Sequence, residues 1–199
     1  MINPKRLPKP DYKEFESTLK RRGVKYYYHY SCISNLPSIL EHGILSRKEL
    51  NARKIKPVQL HGWGHKYWEM EDFICLCLTP PKGMLKRFKN PYLALAIPAM
   101  IAGYEGAYFS PTNSAKDTMD FDDILGRESI DAFECLFHHD EGDFLKSPMT
   151  EILIQNHIDS KEIVEIVFPE WTLEVWIWWI KGLLGLSPIV KVDSSLFCL

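Results

Sequence analysis

Short apolar runs separated by polar, proline-containing or glycine-containing segments recur along the whole chain, and this pattern predicts many short strands. The runs typical of strands cover residues 24–30, 73–78, 92–100, 107–109, 150–154, 163–168 and 189–192. Helical pieces are predicted at residues 11–22, 36–42, 48–53, 120–125, 130–136 and 171–186. A strand-rich chain with short flanking helices fits the α+β class, which contains many different folds.

The stretch 26–46, YYYHYSCISNLPSILEHGILS, predicts a strand, a tight turn, a short helix and a glycine stop. Aromatic residues favour the strand, and Ser34 and Asn35 offer oxygens that can cap the helix. Gly43 follows as the C-cap, because glycine takes positive φ without strain. Loops at such a junction display chemistry on a rigid frame. Three polar residues fall at this strand end and helix start: His29, Ser31 and Asn35.

Size and composition predict one domain, residues 1–199, with a sizeable core. Hydrophobic residues make up 46% of the 199 residues and the net charge is -2, so any nucleic-acid binding has to rest on a local patch. The five cysteines lack a C-x-x-C pair, and their odd number argues against a disulfide scaffold, so we expect a cytoplasmic protein. Cys75 and Cys77 share one strand face and are interpreted as small core residues.

The N-terminal residues 1–22 are predicted to form a loose basic arm followed by a short helix. Two histidine-containing segments, 61–65 and 138–141, invite a metal site, but neither has ligands at a recognised spacing, so we expect no metal. The apolar segment 171–186 is too short for a membrane span and contains Glu174 and Lys181, so we expect core packing and no membrane partner.

Glu151 stands at the mouth of the otherwise apolar strand at residues 150–154. A carboxylate in such a place is costly unless it is solvated, paired or used in chemistry. The functional interpretation is a catalytic acid, and the alternative is an exposed acid on an edge strand. The polar stretch 47–71 is interpreted as a long loop with one helical turn, and ordered loops of this length are usually functional.

Several motifs, in order over residues 25–197, resemble those of the DarT family, bacterial toxins that transfer ADP-ribose from NAD onto a nucleic-acid base. The opening signature of that family stands here as His29, Asn35-Leu36-Pro37-Ser38-Ile39-Leu40 and Gly43-Ile44-Leu45. Later motifs are matched by Pro81, Met84-Leu85, Asn113, Ala115 and Glu151. The chain departs from the family pattern at Lys82, where the family favours Arg, at Pro111-Thr112 and at residues 147–150.

The resemblance implies the ADP-ribosyltransferase fold, a split β core of two packed sheets with an NAD cleft and flanking helices. It implies that Glu151, Arg53 and His29 are catalytic. The cofactor-binding residues it implies are His29, Ser31, Asn35, Arg47, Arg53 and Met84, with NAD as the substrate. The resemblance also implies residues that bind the acceptor substrate: Lys82, Asn113, Ser147 and Thr150.

The resemblance also implies single-stranded DNA or RNA as the acceptor, with DNA favoured, because a base edge is reached only when it is unpaired. An antitoxin partner is implied by family analogy, as is a role in toxin–antitoxin systems and phage defence. Three alternatives stay open: an enzyme of the same fold that modifies protein side chains, a non-catalytic binding module that retains the fold, and an NAD-hydrolysing toxin with no macromolecular acceptor.

Overall fold

The computed structural model describes residues 6–58, 70–78, 91–112, 126–137, 147, 150–169 and 189–193. Its helices are α1 Tyr12–Arg22, α2 Leu36–His42, α3 Arg47–Ala52 and α4 Ile130–Glu134, with 3-10 turns at Ile33–Asn35, Ala99–Gly103 and Ser160–Glu162. Its strands are β1 Tyr26–Cys32, β2 Ile44–Leu45, β3 Phe73–Cys77, β4 Tyr92–Pro98, β5 Ala107–Ser110, β6 Glu151–Gln155, β7 His157–Ile158, β8 Glu165–Phe168 and β9 Ile189–Val192.

The described strands form a seven-stranded sheet in the order β5-β6-β3-β1-β4-β8-β9 and a two-stranded sheet of β2 and β7. The large sheet is antiparallel except for the parallel pair β8 and β9. A large sheet, a small second sheet and short helices confirm the predicted α+β architecture with two sheets.

The large sheet parts between β1 and β3. β1 pairs with β4 at all seven of its residues, whereas its ladder with β3 consists of the single pair Tyr28↔Cys77. Two halves, β5-β6-β3 and β1-β4-β8-β9, are therefore joined at one point. This parting is where the split expected of the fold lies.

One face of the large sheet carries the main core, because alternate residues of a strand point to the same side. Buried side chains on that face include Ile74 and Leu76 of β3, Leu93, Leu95 and Ile97 of β4, and Ile152 and Ile154 of β6. Helix α1 covers this core through Phe15, whose ring packs 5.6 Å from that of Phe109 and 5.5 Å from that of Phe133. The opposite face carries smaller clusters around Tyr30 and Phe73.

Two local predictions are wrong. The described arm residues 6–9 are not loose: Arg6 bonds Glu162, and Lys9 is buried with its amide donating to Gly103 at 2.9 Å. Asn35 does not cap α2, since it adopts a helical conformation and its side chain makes no cap bond. Gly43 does end α2, at φ 81°, as predicted.

The helices of the described ranges include none with the length and apolar character needed to cross a membrane. Within those same ranges no three His, Cys, Asp or Glu side chains are grouped so that they could hold a metal ion. The two histidine-containing segments and the apolar segment 171–186 lie outside the described residues.

Candidate active site

Glu151 is the first residue of β6 and lies between two other strands. It pairs with Cys77 of β3 on one side and with Ser110 of β5 on the other, and it is 6% exposed. The interpretation as an exposed acid on an edge strand is therefore wrong. Burial raises the pKa of the neighbouring Cys77 thiol, and the negative charge of Glu151 raises it further.

The start of β6 is held by the residues immediately before Glu151. The Thr150 hydroxyl donates to the Pro111 carbonyl at 3.3 Å, and the Thr150 amide donates to the Ser147 carbonyl at 3.2 Å. Ser110 donates to the Thr112 carbonyl at 2.6 Å. These bonds fix the turn at residues 110–112 against the strand that carries Glu151. Thr150 and Ser147 remain predictions as substrate-binding residues, and Thr150 is buried.

His29 lies on β1, where the large sheet parts. Its Nδ1 is 3.1 Å from the Cys75 carbonyl oxygen of β3. Because a carbonyl can only accept, Nδ1 carries the proton and Nε2 keeps the lone pair in the neutral ring. Burial lowers the pKa of His29 below 6.5, and the bond to Cys75 offsets part of that effect. The shift favours the neutral ring, with Nε2 as an acceptor.

A row of paired residues runs from Glu151 to Tyr28, the chain neighbour of His29. Glu151 pairs with Cys77, and Cys77 pairs with Tyr28, so three adjacent strands bring these residues onto one face. Paired Cα atoms lie about 5 Å apart, which puts those of Glu151 and Tyr28 about 10 Å apart. His29 follows Tyr28 and begins on the other face by alternation, but its imidazole reaches the main chain of β3 at the parting.

Cys75 is exposed although β3 is an inner strand of the sheet. The prediction that Cys75 is a core residue is wrong, whereas Cys77 is buried as predicted. An exposed residue in the middle of an inner strand indicates that the sheet surface is open there. The opening lies on the face that carries Glu151, since Cys75 and Glu151 both alternate to it.

Ser31 lies near the end of β1 and Asn35 at the end of the 3-10 turn that follows it, and both make bonds within the protein. The Asn35 side chain donates to the Val58 carbonyl at 2.8 Å and accepts from the Val58 amide at 2.8 Å. It also donates to the Ser31 hydroxyl at 3.2 Å. Ser31 is buried on the same face of β1 as His29. Their roles as NAD-binding residues remain predictions.

Arg47 and Arg53 lie at the two ends of α3, and both are exposed. The helix begins at Ser46, whose hydroxyl accepts from the Glu49 amide. Arg53 makes two bonds to Glu49 Oε2, at 3.2 Å from Nε and 3.0 Å from Nη2. Either arginine can meet an anion from this position, and the assignment of one of them to catalysis stays a prediction.

Three predicted site residues, Met84, Lys82 and Asn113, lie outside the described residues. Two neighbours of the named residues, Glu49 and Tyr28, were not predicted from the sequence. Glu49 carries the signal of an acid four residues before an arginine, which predicts an ion pair on one helix face. Tyr28 carried no distinguishing signal, because its place in the row of Glu151 depends on pairing across three strands.

Comparisons with known proteins were made by sequence and by structure. No protein-family model matches the chain, and no curated protein matches it. Among solved structures, DarTG of Thermosipho africanus in complex with ADP-ribose superposes with a TM-score of 0.61 and 19% identity, over 88% of this chain and 51% of that chain. This chain thus spans about half the length of that DarTG chain.

Two structures of DarT from Thermus sp. 2.9 also superpose. The complex with NAD+ gives a TM-score of 0.58 at 15% identity, over 87% of this chain and 97% of that chain. The complex with ADP-ribosylated single-stranded DNA gives a TM-score of 0.58 at 14% identity, over 87% of this chain and 96% of that chain. At these identities the likeness concerns the fold. The chain therefore has the fold of the DarT ADP-ribosyltransferases, which confirms at the level of the fold the resemblance seen in its sequence.

Proposed function

We propose that this chain is a mono-ADP-ribosyltransferase that transfers ADP-ribose from NAD onto a nucleobase of single-stranded nucleic acid, with DNA favoured over RNA. The observation that carries the proposal is the buried carboxylate of Glu151, one row from the parting of the sheet that holds His29. It is supported by the fold, since solved relatives of that fold were captured with NAD+ and with ADP-ribosylated single-stranded DNA.

Glu151 is proposed to act on the anomeric carbon of the nicotinamide ribose. The bond between that carbon and the nicotinamide nitrogen breaks, its electron pair leaves with neutral nicotinamide, and positive charge develops on the ribose. A carboxylate held nearby stabilises this oxocarbenium-like transition state. The new bond forms to a nitrogen of the base, and the proton which that nitrogen loses goes to the Glu151 carboxylate.

His29 and the arginines of α3 are proposed to hold NAD for this reaction. With Nδ1 donating to Cys75, the His29 Nε2 lone pair can accept a bond from a ribose hydroxyl. Arg53, or Arg47 in its place, neutralises the pyrophosphate, and Arg53 must exchange its bonds to Glu49 for bonds to phosphate. Ser31, Asn35 and Met84 remain proposed members of the NAD site.

The acceptor is proposed to bind beside the mouth of β6. Ser147 and Thr150 precede Glu151, and Thr150 holds the turn at residues 110–112 through Pro111. Lys82 and Asn113 complete the proposed acceptor set. Because the fold is that of a toxin family, we also propose a cytoplasmic setting and an antitoxin protein as partner.

The test incubates the purified chain with labelled NAD and four acceptors: single-stranded DNA, duplex DNA, single-stranded RNA and a protein mixture. A Glu151→Ala sample identifies label moved by contaminating enzymes. We expect label on single-stranded DNA, lost in the variant. Label on protein alone would establish the protein-modifying alternative. If a folded chain shows no transfer and no release of nicotinamide, the proposal that it is an enzyme is refuted.

A further inference from the structure

The segment after α3 is held at both ends by specific bonds. We call residues 53–58, RKIKPV, the basic strap, because it carries three exposed cations and no acid. At its α3 end the Ile55 amide donates to the Leu50 carbonyl at 2.9 Å. At its far end the Val58 amide and carbonyl both bond the Asn35 side chain at 2.8 Å.

The backbone of the basic strap is also constrained from within. Lys54 has φ 58°, a left-handed conformation that is uncommon for a residue with a side chain. Pro57 fixes its own φ and restricts the residue before it. A strained residue persists only where its surroundings determine it, so the path of the strap is set by the bonds at its two ends.

The Asn35 amide has no hydrogen left to donate to a ligand. One hydrogen of Nδ2 goes to the Val58 carbonyl and the other to the Ser31 hydroxyl, while Oδ1 accepts from the Val58 amide. An amide group has two donor hydrogens, and both are used. A direct donor bond from Asn35 to NAD would therefore require breaking a bond that holds the strap or β1.

We propose that Asn35 is a positioning residue, which holds the basic strap beside the C-terminal end of β1 so that the strap's cations meet substrate phosphates. The contacts run from the strap through Asn35 to Ser31, two residues from His29 on the same face of β1. The phosphates belong to NAD or to the backbone of the acceptor strand, and the NAD part rests on the proposed function. Three exposed cations on this held backbone, of which Arg53 now bonds Glu49, give a chain of net charge -2 the local patch that binding to either polyanion requires.

The experiment compares the wild-type chain with Asn35→Ala, Asn35→Asp and the control Asn51→Ala, which makes the same change at an exposed position of α3. We call the two bonds between the Asn35 side chain and the Val58 main chain the clamp. Amide hydrogen exchange at Val58 reports whether the clamp is intact, independently of any enzymatic activity. Titrations with NAD and with a single-stranded oligonucleotide at several salt concentrations report the two phosphate sources. Asn35→Asp keeps the acceptor for the Val58 amide and serves as the test if the alanine variant does not fold.

We expect Asn35→Ala to speed Val58 exchange about ten- to hundredfold, because two bonds are lost at one residue. NAD binding weakens about tenfold with kcat at saturating NAD within about threefold, whereas general destabilisation would lower kcat instead. Asn35→Asp changes Val58 exchange and NAD affinity less than Asn35→Ala does, and Asn51→Ala changes neither. A fall in oligonucleotide affinity with a smaller salt slope, at unchanged NAD binding, would assign the phosphates to the strand.

Val58 exchange that is unchanged in Asn35→Ala overturns the clamp. Faster exchange with NAD and oligonucleotide binding both unchanged overturns its role in phosphate binding. If the wild-type chain binds no NAD, the proposed function fails, while Val58 exchange and the oligonucleotide titration still decide whether Asn35 positions the strap.

Discussion

At the scale of single residues, Glu151 is a carboxylate buried at the start of an apolar strand, flanked by a buried thiol and a buried hydroxyl. Burying a charge costs free energy that neighbouring bonds or function must offset. Glu165 is buried to a similar degree, lies in the same row of the sheet and accepts a bond from Lys191 at 2.6 Å. The two buried acids differ in position, since Glu151 lies on the strand next to β3 at the parting and Glu165 lies two strands beyond β1.

His29 gives a prediction about pH. Burial lowers its pKa, so the ring is protonated at lower pH than an ordinary histidine. Protonation removes the Nε2 lone pair, so NAD affinity should weaken as the solution is made acidic, and the onset should fall below that of an ordinary histidine. The His29→Asn variant should bind NAD about tenfold more weakly and lack this dependence.

The same residue affects stability in a defined direction. Since the folded state holds the His29 proton less tightly than the unfolded state, the free energy of unfolding decreases as pH drops below 6.5. Chemical denaturation of the wild type and His29→Asn across this range checks the sign. A difference between the two that grows in favour of the wild type as pH drops would contradict it.

Residue identities were predictable where local chemistry is unusual and unpredictable where long-range pairing decides. Glu151 stood out because a carboxylate stands at the mouth of an apolar run, and the structure buries it between two strands, which excludes only the exposed edge-strand interpretation. Cys75 was misassigned because alternation gives it the face of Cys77, while the parting of the sheet exposes it. The clamp by Asn35 joins residues 23 positions apart, so no local pattern announces it.

At the scale of elements, Gly43 joins α2 to the two-stranded sheet and gives a prediction about stability. Its φ is +81° and its ψ is -178°, a region essentially restricted to glycine, and a Cβ there would lie 2.3 Å from the Ile158 carbonyl oxygen. Gly43→Ala should therefore lower the free energy of unfolding by about 3 kcal/mol.

Gly23 provides the matched control for that substitution. It also has positive φ, +68°, but nothing lies within 4 Å of a Cβ built there. Gly23→Ala should cost about 1 kcal/mol, since only the backbone conformation is strained. Equal losses in the two variants, measured by urea denaturation, would contradict the close approach of β7 to Gly43.

The seven strands of the large sheet and their approximate bounds were predictable from apolar runs, whereas the two-residue strands β2 and β7 were not predicted, because segments so short show no period. The N-cap of α2 was not predictable, because the Asn35 side chain can bond either its own helix or a distant segment, and the local sequence does not decide between these partners. The parting between β1 and β3 was expected only from the family resemblance. The parting arises because the ladder between β1 and β3 ends after one pair. The length of a ladder depends on two strands together, so it cannot be predicted from the sequence of either strand alone.

At the scale of the whole molecule, the N-terminal segment fastens distant parts of the fold. Arg6 bonds Glu162, whose side chain is fully buried, and Lys9 Nζ donates to the Ala107 carbonyl at 2.7 Å. The Lys9 ammonium also lies 5.0 Å from the Phe15 ring centre and 4.6 Å from that of Phe109. A lysine-rich, proline-rich composition is typical of solvated arms, so the sequence predicted a loose arm instead of this fastened segment.

Lys9 gives a prediction for global stability. Burial lowers its pKa from 10.5 to about 8, with Glu128 and Asp11 opposing the shift. Between these values the unfolded chain holds more protons, so the free energy of unfolding of the wild type, relative to Lys9→Met, should rise from pH 8 to pH 10. A pH-independent difference between the two chains in denaturant titrations would contradict this pKa shift.

The proposed role of Glu151 in the transfer is measured as the single-turnover rate of labelled ADP-ribose transfer to single-stranded DNA. Glu151→Gln is compared with Glu165→Gln, the buried acid of the same row, after both are shown to be folded. We expect a loss of about a hundredfold or more for Glu151→Gln and a change within about threefold for Glu165→Gln. Equal rates in the wild type and Glu151→Gln would show that another group does the chemistry.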